Sequence, residues 1–208
     1  KDDVIVGANN DDNNSASNSG SAFIFFGGIT GTKAADADAD VILNGQSVSD
    51  TFGGSVASAG DFNGDEKDDV IVGAPNDNNN SASNSGSAFI FFGGITGIKR
   101  ADSDADVIID GQSTNDALGV SVASAGDFNG DGKGDVIVGA NRDDNNSASN
   151  SGSAFIFFGG ITGTKTADAD ADVILNGQSV SDPFGGSVAS AGDFNGDGAS
   201  DVIVGAIE

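Results

Sequence analysis

The stretch "GDFNGDGKGDVIVGA", residues 126–140, alternates acidic and amide side chains and then runs straight into apolar residues. Asp127, Asn129, Asp131 and Asp135 occupy positions 1, 3, 5 and 9 of a loop, with Lys133 at position 7. Calcium takes about six to eight hard oxygens, and alternate side chains of a tight loop converge on such an ion. Position 7 offers its main-chain carbonyl, so the Lys133 side chain is no obstacle, and Gly132 permits the sharp turn. An EF-hand would need a bidentate Glu at position 12 between two helices. Position 12 is Val138, inside the β-branched run Val136-Ile137-Val138, so this calcium-type loop opens onto a strand. The competing reading is an Asp/Asn/Gly turn that holds no metal.

Recurrence favours the metal. "DVIVGA" starts at Asp3, Asp69, Asp135 and Asp201, a spacing of 66 residues, and residues 3–68 differ from 135–200 at only six positions. The loop returns as Asp61, Asn63, Asp65, the Lys67 carbonyl and Asp69, and again as Asp193, Asn195, Asp197, the Ala199 carbonyl and Asp201. Three copies at fixed spacing, all keeping the four side-chain oxygens, weigh against a metal-free turn. In the first of these copies Glu66 stands where the others have Gly132 and Gly198, which predicts a strained turn and a weaker site there, the alternative being that Glu66 adds an oxygen.

Composition removes several function classes. The formal charge is -24 on 208 residues, from 8 basic and 32 acidic side chains, which excludes a nucleic-acid surface. Cys, His, Met, Trp and Tyr are all absent, so zinc, haem and iron–sulfur ligation and the Ser-His-Asp and Cys-His catalytic sets cannot be built. No 18-residue apolar run is present to span a membrane as a helix. An acidic chain of this kind recruits cations.

Within one unit the pattern is all-β. Residues 121–127, 135–140, 153–160 and 171–177 are short apolar, β-branched or Phe-rich runs bounded by Gly, Asn and Asp. No window carries a helical period. "AFIFF" at 22–26, 88–92 and 154–158 reads as core. Residues 9–20, 75–86 and 141–152 read as long polar loops. About four short strands per repeat is the arithmetic of a β-propeller blade. A parallel β-helix has shorter coils and a Gly-Gly-rich nonapeptide that this chain lacks.

"FGGSVASAGDFNGDEKDDVIVGAP", residues 52–75, resembles the FG-GAP repeat of integrin α-subunit propellers and of many bacterial surface proteins. Phe52-Gly53 matches the first half of the motif and Gly73-Ala74-Pro75 the second. Ala117-Leu118-Gly119 departs from it, and Pro75 is replaced by Asn9, Asn141 and Ile207 in the other copies. The resemblance implies four-stranded blades with Ca²⁺ in the loop between the first two strands.

The expected organisation is one tandem array: 1–52 a partial first blade, 53–118 and 119–184 blades, 185–208 the start of a further one. Lys1 and Asp3 align with Lys67 and Asp69, so they supply positions 7 and 9 of a half-site whose other ligands lie upstream or on another chain. Known propellers close with about four blades or more. Three organisations follow: a window on a longer array, a ring completed by other chains, or a fibre of stacked units. Near-identical repeats and exposed strand edges favour head-to-tail self-association.

Two further features stand apart. The Ala-Asp run 35–41 places Asp36, Asp38 and Asp40 on one face if extended, with counterparts at Asp102, Asp104, Asp106 and Asp168, Asp170, Asp172. It reads as a solvated acidic edge, with a second calcium site as the alternative. Asn13, Asn79 and Asn145 open Asn-Asn-Ser triplets of the N-glycosylation pattern in the polar loops, where plain solvated surface is the other reading.

The functional expectation is a calcium-stabilised structural or adhesive protein, secreted or on the cell surface. The alternative is a ligand-recognition propeller that binds protein or glycan through loops, although the loops here are nearly identical. No residue set for catalysis is present.

Overall fold

The computed structural model describes residues 1–12, 15–78, 82–145 and 148–206. Asn13 and Asn79 of the glycosylation triplets lie outside them, as do residues 146 and 147 of the third.

The first repeat contributes β1 (Val4–Ala8), β2 (Ser21–Phe25), the one-turn helix α1 (Ala35–Asp38) and β3 (Val41–Asn44). The second comprises β4 (Ser55–Gly60), β5 (Asp69–Ala74), β6 (Ser87–Phe91), β7 (Gly97–Arg100), α2 (Ala101–Asp104) and β8 (Val107–Asp110). The third repeats it as β9 (Leu118–Gly126), β10 (Asp135–Ala140), β11 (Ser153–Phe157), β12 (Gly163–Thr166), α3 (Ala167–Asp170) and β13 (Val173–Asn176). The hairpin β14 (Phe184–Gly192) and β15 (Asp201–Ala206) follows.

The second and third repeats each form an antiparallel meander of four strands, β4-β5-β6-β8 and β9-β10-β11-β13, as propeller-type blades do. The register repeats with the sequence: Val70 faces Phe91 as Val136 faces Phe157. At the end of β9, Asp135 pairs with Gly126 but Val136 with Ser124, so Ala125 is an extra residue and Gly126 takes φ 70°. This glycine bulge delivers the chain into the acidic loop.

Why the strands read as unbroken apolar runs is visible at β5. Ile71 joins the cluster containing Val138, Phe155 and Phe157 of the third repeat. Its neighbour Val72 joins Ile24 and Leu43 of the first. Successive side chains of a strand point to opposite faces, and here both faces are covered by another sheet. Phe52, fully buried, meets Phe89 edge-on at 5.5 Å and Phe91 at 6.5 Å. Burying such a ring contributes about 1.5–3 kcal/mol.

Two expectations need correction. The Ala-Asp runs are not extended: each closes one helical turn. Asp38, Asp104 and Asp170 each accept the main-chain N–H four residues back, at 2.7, 2.8 and 2.7 Å, which holds the turn and sets negative charge at a helix start. The three carboxylates of a run therefore do not share a face. Asp40 reaches away to the Phe26 N–H at 2.7 Å.

The second correction is β7 and β12. Each leaves its own repeat and adds, in parallel, to the outer strand of the preceding one: β7 to β3 and β12 to β8. Neither Gly-Ile-Lys-Arg nor Gly-Thr-Lys-Thr carries a strand pattern. The partner edge, not local propensity, makes them strands.

Candidate metal centre

Each acidic loop is wound around its first aspartate. In the third repeat Asp127 Oδ1 accepts the Asp131 N–H at 2.9 Å and Oδ2 accepts that of Gly132 at 3.0 Å. The Asp131 N–H also reaches Asn129 Oδ1 at 2.8 Å, so the oxygens of positions 1 and 3 lie on one turn. Asp131 Oδ1 accepts the Lys133 N–H at 2.9 Å, which draws its carboxylate below the usual range, as the Asn129 amide also does. The loops at Asp61 and Asp193 repeat these bonds, Asp65 and Asp197 receiving from Lys67 and Ala199.

Position 9 does something different. Asp135 is fully buried; its Oδ2 accepts the N–H groups of Phe128 and Asn129 at 2.8 and 3.2 Å. Its Oδ1 accepts the Gly159 N–H at 2.9 Å, beyond the far end of β11. Asp69 clamps Phe62, Asn63 and Gly93 in the same way, and Asp201 holds Phe194 and Asn195. Burial raises the carboxyls of Asp69 and Asp135 despite these donors. Asp3 accepts the Gly27 N–H at 2.7 Å, the equivalent of the Asp69–Gly93 and Asp135–Gly159 bonds. Lys1, two residues before Asp3, is exposed.

The hard-oxygen donor set fits a divalent cation, with Asp127, Asn129 and Asp131 and their counterparts on one turn. Among the described residues, no three acidic side chains are drawn onto one point. In the loop at Asp61 the Lys67 ammonium sits 3.0 Å from Asp65 Oδ2, and it is the main reason that this exposed carboxyl titrates low. Both groups of that pair are exposed, so it adds little stability.

The expected strain at Glu66 is present: its φ is +67°, where Gly132 and Gly198 take +89° and +96°. A side chain in this region costs about 1–2 kcal/mol. Glu66→Gly, melted in chelator, is expected to raise Tm by about 2–4 °C. A lower Tm would mean that the Glu66 side chain holds the loop instead.

The loops are also bonded to each other. The Gly134 N–H donates to the Asp61 carbonyl at 2.9 Å, and the Ser200 N–H to the Asp127 carbonyl at 2.9 Å. Sequence reasoning could not place this contact, since it joins residues about one repeat apart through tertiary packing. It also missed a set of buried aspartates, Asp50, Asp77, Asp116 and Asp143, whose signal was the recurrence of Asp11/Asp77/Asp143 and Asp50/Asp116/Asp182 every 66 residues.

Comparison with known proteins follows the same lines. The FG-GAP repeat model matches residues 52–91 and 118–157. The chain is 30% identical over 191 residues to integrin alpha-5 of Xenopus laevis, covering 88% of this chain and 17% of that protein. It is 30% identical over 172 residues to integrin alpha-PS2 of Drosophila melanogaster, with 79% and 12% covered. A bovine phosphatidylinositol-glycan-specific phospholipase D is 28% identical over 156 residues, 73% of this chain and 18% of that protein. The chain thus spans less than a fifth of the length of each of these relatives. No helix among the described residues is long and apolar enough to cross a membrane.

Proposed function

Because residues 52–91 and 118–157 are FG-GAP repeats, we propose that the chain is a calcium-stabilised structural or adhesive array that works outside the cell. Each complete acidic loop, at Asp61, Asp127 and Asp193, holds one Ca²⁺, and residues 53–118 and 119–184 act as successive blades. Copies associate head to tail. The extracellular setting is supported by the integrin alpha relatives and by the affinity of about 10⁻⁴–10⁻³ M that calcium modules show there.

The observation that carries this reading is the bonding between successive loops, Gly134 to Asp61 and Ser200 to Asp127. An ion that fixes one loop thereby fixes the start of the next sheet, so local binding becomes stiffness of the whole stack. Integrin relatives also support a protein-ligand surface. The near identity of the loops favours a repetitive scaffold over a single ligand site. A catalytic role has no support in the chain's chemistry, which lacks His, Cys and Tyr. The phospholipase D shares only the repeat region, over 18% of its length.

Ca²⁺ at about ten times its dissociation constant adds about 1.4 kcal/mol per site. Three loops then add about 4 kcal/mol, so chelation is expected to lower Tm by about 10 °C. Electron micrographs taken with and without chelator would show fibres or rings coming apart. An unchanged Tm would sink the calcium reading.

A further inference from the structure

We propose that each seam between consecutive repeats holds a second divalent-cation site, built from Asp50, Asp77 and Asp102 at the first seam and Asp116, Asp143 and Asp168 at the second. These residues are distinct from the loop ligands, and the inference does not depend on the loops binding calcium.

At the first seam Asp50, ahead of β4, comes against the segment after β5: the Asn76 N–H donates to the Asp50 carbonyl at 3.3 Å. The second seam repeats this with Arg142 and Asp116 at 3.4 Å. The carboxylates are buried deeply, Asp50, Asp77 and Asp143 at 3% exposure and Asp116 at 5%. In Asp50 and Asp77 one oxygen is held by a neighbouring main-chain N–H, from Ser47 at 2.9 Å and Asn78 at 2.7 Å. The other oxygen of each, Asp50 Oδ1 and Asp77 Oδ2, is buried without a hydrogen bond, since the Ser87 hydroxyl close to Asp77 donates its proton to Asp110 at 2.9 Å. Asp143 Oδ2 and the neighbouring Asn141 Oδ1 are left the same way at the second seam.

At that seam Asp116, Asp143 and Asp168 line one small void together with Gln112, and no lysine or arginine lines it. This void at the second seam has no room for a water molecule. Buried, unpaired carboxylates of one sign are strongly unfavourable unless a counter-charge enters. A proton would neutralise one charge of three. A divalent cation neutralises two, and its bare radius is smaller than a water molecule. The hard carboxylate and amide oxygens select Ca²⁺-type chemistry over softer metals. Asp102 is exposed and Asp168 half-buried, with Asp168 Oδ1 accepting from the Asn145 amide at 2.6 Å; both sit on one-turn helices, and because no three acidic side chains among the described residues meet at one point, closing the site requires these two carboxylates to move inward.

Burial raises the Asp77 carboxyl, and the charges of Asp50 and Asp102 add to it. Burial, and then Asp143, Asp168 and Asp144, raise Asp116. The three aspartates recur at both seams 66 residues apart, with an unpartnered buried oxygen on Asp77 at one and on Asp143 at the other. They therefore belong to the repeat and not to one irregular loop.

The test is Ca²⁺ binding to the 208-residue chain at pH 7.5 by equilibrium dialysis, with melting curves in Ca²⁺ and in chelator. D77N/D143N keeps the side-chain shape and is expected to lose one Ca²⁺ per seam, while the loop variant D61N/D127N/D193N keeps the seam ions. In chelator D77N/D143N should melt above the parent, because the buried like charges are gone. In Ca²⁺ that advantage should shrink or reverse. D50N/D116N, on the opposite wall of each seam, should reproduce the loss should the first variant fold poorly. Unchanged Ca²⁺ stoichiometry in folded D77N/D143N would overturn the seam sites. Loss of all binding in the loop variant would overturn them as well. Ions lost only from the seam variants would leave the seams standing and remove the loop reading.

Discussion

Gly73→Ala is expected to destabilise the chain by about 4 kcal/mol or more, enough to abolish cooperative unfolding near room temperature. A Cβ built at Gly73 would lie 2.0 Å from the Gly119 carbonyl oxygen and 2.9 Å from its carbon. Those atoms are main chain of the next sheet, so no side chain swings aside to make room. The equivalent glycines are equally tight, Gly139 against the Gly185 oxygen and Gly7 against the Gly53 oxygen, each at 2.0 Å. The seam between sheets is thus set by main-chain contact at glycines, this one among several in each repeat. Gly205 occupies the same place in the fourth "DVIVGA", where the nearest atom to a Cβ is 3.7 Å away. Gly205→Ala should change stability by less than about 0.5 kcal/mol. Urea midpoints of the two variants provide the measurement, and equal midpoints would refute the account of the seam.

In chelator, lowering the pH from 8 to 5 is expected to raise Tm. Burial, with Asp50 and Asp102 close by, moves the Asp77 carboxyl from the ordinary 3.8 up to about 7. Burial with neighbouring carboxylates takes Asp116 to about 6. A raised folded value means that the folded chain keeps protons which the unfolded chain has released. Their stabilisation is complete below about pH 4 and is lost as the pH climbs through 6 and 7. For Asp77 the difference is on the order of 4 kcal/mol. Asp65, Asp131 and Asp170 titrate low and act in the opposite sense, but they are exposed and screened. Melting curves from pH 5 to 8 on the parent and on D77N provide the check. The D77N curve should be flatter, and a parent Tm that falls steadily on acidification would refute the assignment.

Much of the fold is legible without coordinates because the determining interactions are local or periodic. Val136-Ile137-Val138 announces a strand covered on both faces, and β10 is buried along its whole length. The loop at Asp127 is legible because these bonds run between residues at most seven apart. Harder to see was that Asp135 spends both oxygens on main-chain N–H groups, one of them on Gly159, 24 residues away. The Ala-Asp runs misled because alternation is also what a single helical turn looks like when its aspartates bond back to the backbone. The seam aspartates hid in polar loops, where an Asp ordinarily faces water.

Identical words in this sequence take different structures, and that separates the two sources of information. Gly31-Thr32-Lys33 and Gly163-Thr164-Lys165 are the same tripeptide with nearly the same glycine φ, 76° and 71°. Only the second belongs to a strand, where it pairs in parallel with β8. "DVIVGA" is wholly buried as β10 and partly exposed as β15, according to how many sheets flank it. The sequence by itself determined the period, the strands, the glycine positions and the oxygen-rich loops, since each follows from backbone sterics and side-chain alternation within one repeat. Tertiary structure alone decided which edges pair, which glycines are pressed to contact and which aspartates lose their water, because each depends on the neighbouring repeat being there.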